Sequence, residues 1–323
     1  KKKKKKKKKK ILLDGMVMLA EALPKCDKLC TLGLCRTMLG PEGVAVLAQI
    51  LPAMLQLKEL DLENNAIGAV GAAALAAALP QCTQLSRLSL SDNILLAEGT
   101  AHVADALPGM TALVALDLSD NNIGLGAMDL VTALQAMPPG QLKINLGNNA
   151  LCGLGLAAVA QALPHCAAIN LGRNHVVDLG TAQSLALACP ACTHLTAISL
   201  EGMALGPAEM EVLAEPLMRL PVLTTLSLKN NHLGPAGAKH LAPALPLARH
   251  LRVLNLRSNR IRAAGCRALC DKLPRAPALQ ELLLGFNALG EAGLLGKKKK
   301  KNEKKKEKRK KEKKKEGGGE GDV

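Results

Sequence analysis

Cys189-Pro190-Ala191-Cys192-Thr193-His194 is the segment whose residue types and spacing come nearest to a reactive site. A C-x-x-C pair can supply two of the four ligands of a structural zinc ion, or work as a redox dithiol. The surrounding sequence argues against both. No second C-x-x-C offers the remaining ligands. Cys192 takes the second place after a proline, as do Cys26, Cys82 and Cys166, while Cys189 stands where Leu79 and Leu107 end their own segments. A small apolar residue that recurs at one place is a packing residue. The ten cysteines are therefore expected to be free thiols, which implies a cytoplasmic or nuclear compartment.

His102, His165, His175, His194, His232, His240 and His250 share no spacing with a nucleophile and an orienting acid. A triad needs those three groups to converge. No phosphate-cradling G-x-x-x-x-G-K-[ST] is present either. The expectation is a protein that is not an enzyme, with no catalytic residue, no metal ligand, no cofactor and no small-molecule substrate.

Charge is the other chemistry available. The net charge of +16 is uneven: residues 1–10 are ten lysines, and 297–323 hold 15 basic and 6 acidic residues. Residues 11–296 are left with 18 basic and 21 acidic, a net −3. A basic-groove case for nucleic acid fails for the body. Contact with nucleic acid or anionic lipid is confined to the two lysine-rich ends, expected as disordered segments over 1–10 and 297–323. No aromatic residue interleaves with those lysines for base stacking. Lys1–Lys10 before Ile11–Leu13 could pass for a secretory signal, but Asp14 and Glu21 interrupt the apolar stretch. No apolar run is long enough for a membrane-spanning helix.

The elements that must position these side chains follow from one period. Asn65, Asn93, Asn121 and Asn149 stand 28 residues apart, and the beat resumes at Asn174, Asn231, Asn259 and Asn287. Thr37 and Met203 fill the same place in two further turns, which makes ten. Each lies in a frame L-x-x-L-x-L-x-x-N-x-[LI], as in Leu57 to Ile67. The alternation Leu60-x-Leu62 predicts a short strand with leucines inward and polar residues outward. The asparagine amide is expected to satisfy backbone groups of adjacent turns as a stacked ladder. A glycine six residues later (Gly43, Gly71, Gly99, Gly155, Gly180, Gly237, Gly265, Gly293) is expected to free the backbone at the helix entrance. An Ala/Leu helix such as Ala72–Leu79 follows, and Pro24, Pro52, Pro80, Pro108, Pro190, Pro246 or Pro274 is expected to stop it. Such repeats stack into an α/β solenoid, a parallel sheet on the concave side and helices on the convex side, over residues 11–296.

This pattern resembles the leucine-rich repeats of the ribonuclease-inhibitor type, found also in NOD-like receptors and Ran GTPase-activating protein. The Ala-Leu helices and segments such as Gly71 to Leu79 (G-x-x-x-L-A-x-A-L) are most similar to the receptor repeats. The resemblance implies protein binding, as the sensor or autoinhibitory part of a larger intracellular receptor. The alternative it implies is an accessory regulator of a small GTPase, although that family's acidic C-terminal segment is here basic. An adaptor tethered through the lysine-rich ends is a further alternative.

Three departures from the frame carry expectations. Asn149 and Asn174 are 25 apart, so a kink or altered curvature is expected near 160–205. Thr37 and Met203 are expected to leave gaps in the ladder. Ile11–Pro24 reads as the back half of a turn and 293–296 as the start of another, with no polar cap, which reads as a fragment of a longer protein. On the outward strand positions, early turns carry Glu59, Asp61, Glu63, Asp92, Asp117 and Asp120. Later turns carry Arg173, Lys229, Arg252 and Arg257, with Arg260 and Arg262 in the adjoining loop. These ten strand-face residues are the predicted partner-binding set: an acidic-to-basic gradient that would orient a protein of opposite polarity.

Overall fold

The computed structural model describes residues 14–174 and 177–290. The lysine-rich ends, residues 11–13, His175, Val176 and 291–296, with the expectations placed on them, lie outside the described residues. Ten short strands form one parallel sheet in strict chain order: β1 Thr31–Gly33, β2 Glu59–Asp61, β3 Arg87–Ser89, β4 Ala115–Asp117, β5 Leu142–Asn145, β6 Cys166–Asn170, β7 Ala197–Ser199, β8 Thr225–Ser227, β9 Val253–Asn255 and β10 Glu281–Leu283. A helix over 14–22 (α1) precedes β1. The others alternate with the strands: α2 Gly40–Ile50, α3 Gly68–Ala78, α4 Leu96–Ala106, α5 Ala127–Ala136, α6 Gly153–Ala162, α7 Leu179–Ala188, α8 Pro207–Met218, α9 Gly234–Leu241 and α10 Arg262–Cys270. From α2 to α10 each helix packs on the next. The expected solenoid is the observed fold.

Each turn contributes the same inward set to a continuous core. In turn 2, Leu57, Leu60, Leu62, Ile67, Leu75 and Leu79 are all 2% exposed or less. Burying one such side chain contributes about 1.5–3 kcal/mol, and no turn can bury its leucines without a neighbour. The ladder forms as the spacing predicts. Asn93 Oδ1 accepts the N–H groups of Asn65 at 2.8 Å and Ile67 at 3.4 Å. Its Nδ2 donates to the carbonyls of Leu62 at 2.8 Å and Ser91 at 3.0 Å. The residues flanking the asparagine are left-handed, as at Asn64 (φ 54°) and Ala66 (φ 52°), so the loop leaves the strand in a tight coil.

Several local expectations are corrected. Thr37 leaves no gap: its N–H donates to Asn65 Oδ1, and its one hydroxyl proton lies between two acceptors, the Leu34 carbonyl at 2.8 Å and Asn65 Oδ1 at 3.0 Å. Met203, fully buried, leaves the gap expected of it: it keeps only the backbone half of the ladder, donating its N–H to Asn231 Oδ1 at 3.0 Å. A thioether has nothing to give Asn174 in return. The α-helices end just before the prolines, as expected, but the chain stays helical beyond them. Pro24, Pro52, Pro80, Pro108 and Pro190 are each the second residue of a 3₁₀ turn that follows the helix directly, and Pro274 of one that starts after two intervening residues. The bond closing that turn comes from a later N–H, as from Met54 to Leu51 at 3.0 Å, so the missing proline N–H costs nothing.

The recurring glycine also has another role. Gly71 lies inside α3, where a Cβ would sit 2.6 Å from Ile67 Cγ2 and 3.2 Å from Pro41 Cα of the preceding turn. It is there for close helix approach. The left-handed backbone comes three residues earlier, at Gly68 (φ 61°). At the short turn, the 3₁₀ turn Leu163–His165 runs directly into β6. The missing residues are absorbed as a register shift between Leu142 and Lys143, after which Ile144 pairs with Ile169 and Asn145 with Asn170. The strand pairing beyond it, from Ala168 and Ala197 onward, is undisturbed. His194 of turn 7 packs against Gly140 of turn 5, whose φ of 73° and lack of a Cβ make room for the ring.

Candidate functional site

Alternation along each strand turns one residue into the core and its neighbours toward the concave face. The faces of β1 to β8 line a groove of about 750 Å³. Its floor is made of short side chains, among them Ala115, Ala168, Ala197, Ser199 and Ser227. Charge enters it through Glu59, Asp61, Arg87, Asp117 and Lys143.

The predicted partner-binding residues occupy three rows rather than one. Glu59, Asp61 and Asp117 lie on strands inside the groove. Glu63, Lys229 and Arg257 share the place two residues before the ladder position, and Asp92, Asp120 and Arg173 the left-handed place immediately before it. Arg252 precedes β9 and is exposed. Asp120 and Arg173 line a second, smaller notch of about 230 Å³ together with Gly147 and Gly172.

Four charged residues missed in the sequence reading modify the gradient. Arg36 pairs with Glu63 at 2.8 Å and Arg87 with Glu59 at 3.5 Å. Glu201 pairs with Lys229 at 2.9 Å and with Arg173 at 3.6 Å. Lys143 stands in the groove beside the acidic turns. The signal was available: Arg87 follows Glu59, and Lys229 follows Glu201, by one 28-residue period, so reading down columns finds the partners. The hydrogen bond from Arg36 to Glu63, with the carboxylate's charge, raises the guanidinium above its ordinary pKa. Asp61, Asp92, Asp117 and Asp120 at one end, and Arg252 and Arg257 at the other, have no ion pair among the described residues. The gradient rests on those six.

A second, outward ladder also escaped the sequence reading. Asn145 Nδ2 donates to Asp117 Oδ2 at 3.0 Å, and Asn170 Nδ2 donates to Asn145 Oδ1 at 2.8 Å. Asp117, Asn145 and Asn170 each also accept the N–H two residues on. The middle of the groove therefore presents a polar line held in a fixed geometry.

The C-P-x-C cysteines are core residues. Cys189 and Cys192 are buried, and both thiols donate to the carbonyl four residues back, at 3.2 Å each. Burial pushes Cys189 up to about 12 and Cys192 up to about 11, opposite to what a redox thiol requires. Among the described residues no three of His, Cys, Asp and Glu group as metal ligands, and no helix is long and apolar enough to cross a membrane.

Residues 56–76, 109–128, 219–242 and 248–270 match a family model described as leucine-rich repeat. In those four segments the chain is similar to leucine-rich repeats. Each matched segment falls on the strand–loop–helix frame described above. Among solved structures, the chain is similar to the leucine-rich repeat-containing protein LegL7 from Legionella pneumophila, with a TM-score of 0.41 and 15% identity, over 84% of this chain and 88% of that one. No curated protein matches the chain in sequence.

Proposed function

We propose that this leucine-rich-repeat chain is a non-enzymatic scaffold that captures a protein partner on its concave face. The groove of about 750 Å³ floored by alanine and serine carries the proposal. Short side chains leave room for a partner's protrusions. The hydrogen-bonded polar line supplies contacts whose geometry is fixed beforehand, so little ordering cost is added on binding. The six uncompensated charges orient the partner and speed its arrival more than they tighten the complex. Reversing four of them together (Asp61→Lys, Asp117→Lys, Arg252→Glu, Arg257→Glu) in the full chain is expected to abolish specific capture of proteins from a cell extract. Capture unchanged by the quadruple reversal overturns the concave-face reading.

We further place the repeats beside those of NOD-like receptors, as a sensor segment acting in the cytoplasm or nucleus. The alanine-rich α3 and α6 support this, and thiols built into the core suit a reducing compartment. The full transcript should then encode a nucleotide-binding domain next to the repeats. A transcript without one removes the receptor assignment and leaves the scaffold proposal standing.

A further inference from the structure

The loops leaving the strands form one side of the solenoid, and the left-handed position before each ladder residue marks its outermost row. That position holds Arg36, Asn64, Asp92, Asp120, Asn148, Arg173, Gly202, Asn230 and Ser258, polar except for the glycine, until turn 10 places Phe286 there. Phe286 is the chain's one aromatic residue. It is 88% exposed, at φ 59°, a conformation that a bulky side chain adopts only under strain. Beside it turn 9 presents Arg257, Arg260 and Arg262, exposed and without ion pairs among the described residues. The same row at turns 3 and 4 has the complementary character. Asp92 and Asp120 are held in place by the side-chain amides of Asn64 and Asn148, next to Ile94 and Leu96, 54% and 48% exposed.

We infer that this loop face is the interface of an antiparallel homodimer. A two-fold axis between turns 6 and 7 maps turn 3 onto turn 10, turn 4 onto turn 9 and turn 5 onto turn 8. It sets Phe286 of each copy against Ile94 and Leu96 of the other, and Arg257 and Arg260 against Asp120. Near the axis the row holds Arg173, paired with Glu201, and Gly202, so no unpaired charge is set against its copy there. Both ends are satisfied at once, so the contact closes at two copies rather than extending into a filament. An unrelated partner would match one end only. The groove floor stays open, but Asp92, Asp120 and Arg257 also belong to the charges that orient a captured partner, so Phe286→Ala is the variant that separates dimerisation from capture.

The full chain, 33.8 kDa, should sediment as twice that mass at tens of micromolar in low salt, and as a monomer in high salt. Arg257→Glu/Arg260→Glu/Arg262→Glu makes both ends acidic, and Asp92→Lys/Asp120→Lys makes both ends basic. Each variant alone should dimerise about 100-fold more weakly. The two mixed in equal amounts should form a heterodimer. Phe286→Ala, a change at one exposed side chain that leaves the core intact, should weaken the wild-type dimer about tenfold. A wild-type monomer in low salt overturns the inference. So does a dimer indifferent to both reversals and to Phe286→Ala, or a mixture of the two folded reversal variants that stays monomeric.

Discussion

The cysteines show how a residue's place in a repeat outranks its chemistry. Cys82, Cys166, Cys189 and Cys192 donate to carbonyls one helical turn back and fill space between layers as methionine does at Met54 and Met110. Burial raises Cys82 and Cys192 to about 11 and Cys166 and Cys189 to about 12, from 9.0. Below pH 9.0 folded and unfolded chains both keep these protons, so the thiols add no pH dependence there. Above it the unfolded chain releases protons that the folded chain retains. Stability therefore falls as pH rises from about 9 toward 12. Melting temperature followed across that window should drop less steeply for Cys82→Ala/Cys166→Ala/Cys189→Ala/Cys192→Ala than for wild type. Equal slopes would mean the buried thiols do not carry the effect.

At the scale of the element, the ladder couples turns that otherwise meet only through apolar contact and short strands. The Asn121 side chain makes five bonds, accepting from Asn93 and Leu95 and donating to Leu90, Leu118 and Ser119. Asn121→Ala leaves several of those groups buried without partners and should cost about 3 kcal/mol. Thr37→Ala, at the first turn, should cost about 1 kcal/mol. Chemical denaturation of the two variants measures the difference, and equal losses would refute a structural role for the ladder. Strands, helices and ladder were legible because the 28-residue period superimposes ten noisy copies of one pattern. The role of Gly71 was not, since close helix approach and positive φ both select glycine, and only the neighbouring turn tells them apart. Nor was the register shift at β6 legible, because a three-residue deletion can be absorbed in the connection or in the curvature. The packing of His194 over Gly140 follows from that choice. Among the candidate site residues, strand-face positions were legible by alternation along a strand, whereas the pairings of Arg36, Arg87 and Glu201 show only when successive turns are read down a column.

For the molecule as a whole, the fold separates its surfaces by role. The helices spend their small residues on packing against one another, the loops hold the left-handed coils, and the strands alone present a continuous, pre-organised concave wall. The uncompensated charges lie toward opposite ends of the arc, as expected of a surface that orients what it holds. A photo-crosslinking side chain carried at Ser199 on the groove floor, compared with one at Leu187 on α7, 81% exposed, tests this most directly. In a cell extract the Ser199 position should give discrete protein adducts that disappear in the quadruple charge-reversed chain, and the Leu187 position should give none of them. Adducts formed from Leu187 alone, or from both positions alike, would contradict capture on the concave face.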